Sequence, residues 1–180
     1  MKEEIIIAGF GGQGVLSMGK ILAYSGLTDD KEVTWMPSYG PEQRGGTANV
    51  TVILSDERIS SPVLDSFDNV IALNQQSLDK FAPKVKPGGI LIYDTNGIHN
   101  HPKRDDITIY PIDAMGATLE IGNSKAYNMV VMGALLEAMN YKLPMENVIK
   151  GLKKSLPERH HKLIPLNEQA IEKGRTLLKK

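Results

Sequence analysis

Gly9-Phe10-Gly11-Gly12-Gln13-Gly14 follows the apolar run Ile5-Ile6-Ile7-Ala8 and precedes Val15, Met18 and Leu22, which recur at helical spacing. That order reads as strand, glycine turn, helix. Glycine is required in such a turn where φ is positive, where the backbone approaches a phosphate, or where helix and strand pack closely. The spacing G-x-G-x-x-G fits residues 9–14, and the free N–H groups of the following helix favour an anion. The turn predicts an α/β fold more firmly than it predicts a ligand.

Two common ligands are tested by the residues that follow. NAD-binding units place an acidic residue at the end of the second strand to hold the ribose hydroxyls. Here the strand Val33-Thr34-Trp35-Met36 runs into Pro37, and Asp30 and Glu32 lie before it. Gly14 to Lys20 also spells G-x-x-x-x-G-K, but Ile21 stands where a P-loop needs Ser or Thr, and the segment falls inside the expected helix. Both readings lose their support.

The second informative stretch is Pro37-Ser38-Tyr39-Gly40-Pro41-Glu42-Gln43-Arg44-Gly45-Gly46. It is dense in turn formers yet carries more polar function than a connector needs. By the open-sheet rule it leaves the carboxyl end of the second strand beside the glycine turn. Arg44 can grip a phosphate or carboxylate with its planar fork, and Gly45-Gly46 would let N–H groups approach the same anion. A tight surface loop with Arg44 paired to Glu42 or to the next subunit is an equally good reading of the residue types.

The alternating segment of residues 47–54 is the next strand, with Asp56-Glu57 turning into a short strand around Arg58-Ile59-Ser60; this predicts a β-hairpin insertion. Residues 69–74 and 90–93 read as buried parallel strands flanking a helix over 75–85, closed by Pro87-Gly88-Gly89. Asn74 and Asp94 fall at strand ends, where capping is the commoner role. His99 and His101 share one side of an extended segment without a carboxylate and histidine set to complete a metal site, and Arg159-His160-His161-Lys162 reads as a solvated basic turn. The helix of residues 125–140, apolar around most of its circumference, is expected to be covered by a partner chain. Helices from Pro144 and over 166–178 follow. The fold class expected is therefore α/β: a single three-layer domain over 1–180, with a mostly parallel Rossmann-like sheet, a β-hairpin insertion and a helical C-terminal third.

The bulk composition narrows the chemistry. Lys plus Arg and Asp plus Glu both number 21, so nothing draws the chain broadly to nucleic acid or anionic lipid. With no cysteine among 180 residues, the chain offers no thiolate to an iron–sulfur cluster and no thiol nucleophile. The start runs directly into the first strand and no stretch reaches membrane-spanning length, which predicts a cytoplasmic protein without membrane contact.

With both loops in view the chain resembles the gamma subunit of the 2-oxoacid:ferredoxin (acceptor) oxidoreductases, closest to the 2-oxoglutarate type. The resemblance rests on residues 9–14 and 38–46 together with 123–133. It implies a heteromeric enzyme that converts a 2-oxoacid, coenzyme A and oxidised ferredoxin into acyl-CoA, carbon dioxide and reduced ferredoxin, with succinyl-CoA as product in the 2-oxoglutarate case. It implies alpha and beta catalytic subunits holding thiamine diphosphate with Mg, and iron–sulfur clusters in beta or a ferredoxin-like delta subunit. This chain by itself would bind no cofactor and supply no catalytic residue. Candidate contacts with coenzyme A or with the thiamine-binding subunits are Gly9, Gly11, Gly12, Gln13, Gly14, Ser38, Tyr39, Gly40, Glu42, Gln43, Arg44, Gly45 and Gly46. A purely architectural subunit and a free-standing dinucleotide-dependent oxidoreductase are the alternatives.

Overall fold

The computed structural model describes residues 1–40 and 46–178. Six strands form one sheet: β1 (Lys2–Phe10), β2 (Glu32–Tyr39), β3 (Thr47–Ser55), β4 (Phe67–Ala72), β5 (Val85–Asp94) and β6 (Thr108–Ile112), in the order β2-β3-β1-β4-β5-β6. β1, β4, β5 and β6 are joined by parallel pairings, and β3 is antiparallel to both β1 and β2. Two antiparallel pairings in succession leave β2 pointing the same way as β1. The sheet is thus mostly parallel, with one reversed strand.

The helices are α1 (Val15–Thr28), α2 (Gln75–Phe81), α3 (Ala114–Ile121), α4 (Tyr127–Ala138), α5 (Met145–Ser155) and α6 (Ile164–Thr176). Alternation along the strands sorts the core into two halves. Ile5, Ile7, Val50, Val52 and Ile92 face α1 and the C-terminal helices, whereas Ile6, Ala8, Val70, Leu91 and Tyr93 face Leu78 and Phe81 of α2. Three layers result.

The hairpin forms, but between different strands from those expected. β2 pairs with β3 along its whole length, from Glu32 opposite Ser55 to Tyr39 opposite Ala48, whereas residues 58–60 form no strand. Ser60-Ser61-Pro62 offers neither alternation nor a full set of amide donors, while the β-branched run of β3 meets a β2 that extends three residues past Met36. Pro37 is tolerated in β2 because β2 is an edge strand, and Pro111 sits likewise in the opposite edge strand β6. The turn expected at Pro87-Gly88-Gly89 lies inside the span of β5. There Gly88 takes φ 78° and donates to the carbonyl of Asp106 at 2.7 Å, and the pairing with β4 shifts register.

The expected partner-covered helix is also corrected. Every residue of α4 from Met129 to Leu136 is buried within this chain. What makes this possible with so little following polypeptide is glycine against backbone. A Cβ built on Gly133 would overlap the carbonyl oxygen of Ile171, and one on Gly174 would overlap that of Val130. α4 and α6 therefore cross in backbone contact, and one helix covers a face that bulkier residues would have left half open.

Candidate functional site: the glycine cleft

β1 ends at Phe10, and the chain reverses through Gly11 to Gly14 before α1 begins. Gly12 has φ 93° and Gly14, the N-cap of α1, φ 75°. Both values lie in the left-handed region that side chains resist. Gly14 is also crowded, since a Cβ there would stand 2.6 Å from the Asn128 amide nitrogen. Gly14→Ala combines both penalties and is expected to lower stability by about 1–3 kcal/mol, read as a lower denaturation midpoint. Gly12 has open space around it, so Gly12→Ala carries the strain alone.

The neighbouring loops meet as the open-sheet rule requires. The amide of Gly11 donates to the carbonyl of Gly46 at 2.9 Å, and that of Gly40 to the carbonyl of Thr47 at 3.4 Å. Between them opens a cleft of about 450 Å³, lined by Gly11, Gly12, Gly14, Tyr39 and Gly46 together with Phe10, Val15, Leu16, Ser17, Thr47 and Ala48. Among the described residues no carboxylate lines it. Among the described residues α1 has no side-chain cap, and its first turn carries no acidic residue, so no described side chain takes its first N–H groups. Tyr39, 65 % exposed, stands over the cleft as an apolar surface with a polar tip.

Not every expected contact belongs to the lining. Gln13 is committed elsewhere: its Oε1 accepts from the Phe10 amide at 2.6 Å and its Nε2 donates to the Leu73 carbonyl at 3.2 Å. It ties the turn to the end of β4. A Cβ on Gly9 would come within 2.5 Å of that same Oε1, which accounts for this glycine inside β1. Gln13 thus occupies the space between β1 and β4 where the strand order reverses, the usual approach of a dinucleotide. Ser38 is exposed on β2 without lining the cleft. Glu42, Gln43, Arg44 and Gly45 lie outside the described residues. The sequence reading missed Val15, Leu16 and Ser17, though a glycine N-cap followed by no acidic residue signals an open helix start.

The strand-end residues act within the fold. Asn74 caps α2, its Oδ1 accepting from the Ser77 amide at 2.7 Å. Asp94 is 1 % exposed and accepts from the Tyr127 hydroxyl at 2.7 Å and the Asn96 amide at 3.2 Å. Burial raises its pKa above the usual carboxylate range against the lowering effect of those donors and of the Ala114 amide, and nearby Asp113 adds to the rise. Burial, with the Asp94 charge, keeps Tyr127 protonated far beyond the range of an ordinary phenol. His101 shares a 2.7 Å hydrogen bond with the Tyr93 hydroxyl, the His99 amide donates to Gln75, and His161 sits 3.0 Å from the carbonyls of Lys153 and Leu156. The Arg159 guanidinium donates to His160 at 3.2 Å. Among the described residues no group of three or more His, Asp or Glu side chains is placed to hold a metal ion. No helix among them is long and apolar enough to cross a membrane.

The family described as pyruvate ferredoxin/flavodoxin oxidoreductase matches residues 4–177, and the chain belongs to it. A gamma subunit of keto/oxoacid ferredoxin oxidoreductase from Geobacter sulfurreducens has the same fold, with a TM-score of 0.83 and 27 % identity over 98 % of this chain and 96 % of that one. The chain is also similar to 2-oxoglutarate:ferredoxin oxidoreductase from Magnetococcus marinus, solved with 2-oxoglutarate, coenzyme A and succinyl-CoA bound. There the TM-score is 0.87 and the identity 27 %, covering 99 % of this chain but 31 % of that one. Ketoisovalerate oxidoreductase subunit VorA of Methanothermobacter marburgensis is 37 % identical over 171 residues, 95 % of this chain and 35 % of the relative. The chain spans about a third of the length of that curated relative.

Proposed function

We propose that this chain is the gamma-type unit of a heteromeric, cytoplasmic 2-oxoacid:ferredoxin oxidoreductase. The complex decarboxylates a 2-oxoacid, transfers the acyl group to the thiol of coenzyme A and passes the electrons released to ferredoxin. The catalytic groups then reside in alpha and beta partners holding thiamine diphosphate, with iron–sulfur centres there or in a ferredoxin-like delta subunit. A chain without a single cysteine fits that division. 2-Oxoglutarate is the substrate we favour, in line with the Magnetococcus marinus enzyme, whereas the VorA name points to a branched-chain oxoacid.

Within the complex, the glycine cleft holds the anionic part of coenzyme A. The observation that carries this is a cleft bounded by Gly11, Gly12, Gly14 and an uncapped helix start, with no carboxylate in its lining among the described residues. Backbone N–H groups can meet phosphate oxygens there without a negative side chain among the described residues opposing them. Gln13 filling the β1–β4 crevice supports a ligand other than a dinucleotide.

Arg44→Ala in the assembled enzyme is expected to raise the KM for coenzyme A about tenfold, the loss of one charge-assisted phosphate contact, with kcat much less affected. An unchanged KM accompanied by weaker subunit association would replace this reading with an architectural role for the loop. Tight binding of NAD, NADP or FAD to the isolated chain would replace it with a free-standing dinucleotide enzyme.

A further inference from the structure

A second cleft, of about 270 Å³, opens on the far side of Ser17, between α1, α4 and the α5–α6 connection. Its floor is apolar, formed by Met129, Leu152, Leu156 and Leu166 with Ile21 and Leu163. Its rim is polar: Ser17, Lys20, Lys125, Asn128 and Asn167. Among the described residues no Asp or Glu lines it, although Glu158 and Glu168 are close in sequence.

The cations of this rim carry no carboxylate partner among the described residues, as is also true of Lys80, Lys103 and Lys150 elsewhere on the surface, whereas other lysines are paired. Lys31, Lys86, Lys142 and Lys173 each reach a carboxylate. Lys20 and Lys125 form no ion pair among the described residues; Lys20 lies only 5.9 Å from the ring of Tyr24 four residues on. The side chains of Ser17, Asn128 and Asn167 make no hydrogen bond among the described residues. Two cations, two amides and a hydroxyl therefore surround an apolar floor with no ion pair or hydrogen bond among the described residues, while Asn123 and Ser155 beside them bond to the Lys125 amide and the Leu152 carbonyl.

We infer that this cleft binds a nucleoside phosphate, its phosphates between Lys20 and Lys125 and its base on the floor of Met129, Leu152, Leu156 and Leu166. A base needs a flat apolar surface and amide groups at its edge, which Asn128 and Asn167 provide; phosphate needs cations without competing carboxylates. The volume suits a nucleotide rather than an extended cofactor. The inference does not depend on coenzyme A binding at the glycine cleft, because that cleft shares only Ser17 with this one.

Isothermal titration of the full chain with ADP tests it. Saturable binding is expected, weakened about tenfold by Lys20→Gln and by Lys125→Gln, and weakened by added salt as a partly exposed charge contact must be. Both lysines are exposed, so the variants keep the fold. Amide NMR supplies the second readout: ADP is expected to shift the side-chain signals of Asn128 and Asn167. No saturation at millimolar ADP, an affinity unchanged in both variants, or shifts confined to Gly11, Gly12 and Gly46 would each overturn the inference.

Discussion

Gly133→Val is expected to be the most damaging single substitution in the chain. The new side chain begins with a Cβ that overlaps the carbonyl oxygen of Ile171, and backbone atoms of a packed helix cannot rotate aside as a side chain would. α4 and α6 must separate. That opens the buried stripe of Met129, Val130, Met132 and Leu136 on one helix and of Ala170 and Ile171 on the other. Overpacking in a core typically costs about 1–3 kcal/mol, and with the exposure that follows the loss should exceed roughly 4 kcal/mol. In a chain of this size that corresponds to a fall in Tm on the order of 10 °C. Gly174→Val should behave alike, since its Cβ meets the carbonyl of Val130 across the same crossing. The double variant should be less destabilised than the sum of the two, because both act on one contact. Thermal unfolding followed by circular dichroism reads all three, and a Gly133→Val protein that melts with the wild type would refute the backbone crossing.

Tyr127→Phe is expected to have the second-largest effect, with an unusual dependence on pH. The substitution removes the hydroxyl donor from a carboxylate with 1 % exposure, leaving Asp94 its two backbone donors. Loss of a hydrogen bond to a buried charge costs about 1.5–3 kcal/mol. Asp94 has a pKa raised by burial above its ordinary 3.8, so in the pH range above that value the folded state holds more protons than the unfolded one. Its contribution to stability is therefore full at low pH and declines as pH rises through the folded pKa. Removing the Tyr127 donor disfavours the charged form further, raises that pKa again and carries the decline to higher pH. The destabilisation by Tyr127→Phe should consequently be larger at neutral pH than under acid conditions, where Asp94 is protonated in both proteins. Urea denaturation midpoints across pH check it, and a pH-independent difference would refute it. Glu4 gives the opposite slope to the whole protein. Burial raises its pKa, but the ammonium groups of Lys2 and Lys86 outweigh burial and hold it below 4.5, so its contribution is lost on acidification. The difference between wild type and variant isolates Asp94 from that background.

The glycine turn, β1, α1 and the adjacency of the two loops were all legible in the sequence, because each depends on local pattern or strand direction. The partner of β3 was not. A β-branched run says that a strand exists and is silent on what it pairs with, and β2 wins through a length that the Pro37 break concealed. The cover over α4 was hidden for a related reason. Apolar residues all round a helix demand burial, but the close approach is written in Gly133 and in Gly174, 41 positions later, and neither glycine is informative alone. In the site, the spacing picks out Gly11 and Gly14 of the cleft, but it also picks Gly9, which packs against Gln13 instead, and is silent on Gly12 and Gly46. Gln13 was read as a ligand contact because it stands among the glycines, and only the path of β4 past its amide assigns it to the scaffold.

The two edge strands carry a consequence for behaviour in solution. An open sheet ends in backbone groups that can template another chain, and sheets this apolar are at risk of joining edge to edge. Here Pro37 in β2 and Pro111 in β6 each delete an amide hydrogen from an outermost strand. A further strand laid along either side would meet a gap in its ladder at that position. The same prolines that break the strand pattern in the sequence thus guard the folded chain against aggregation from both sides of the sheet.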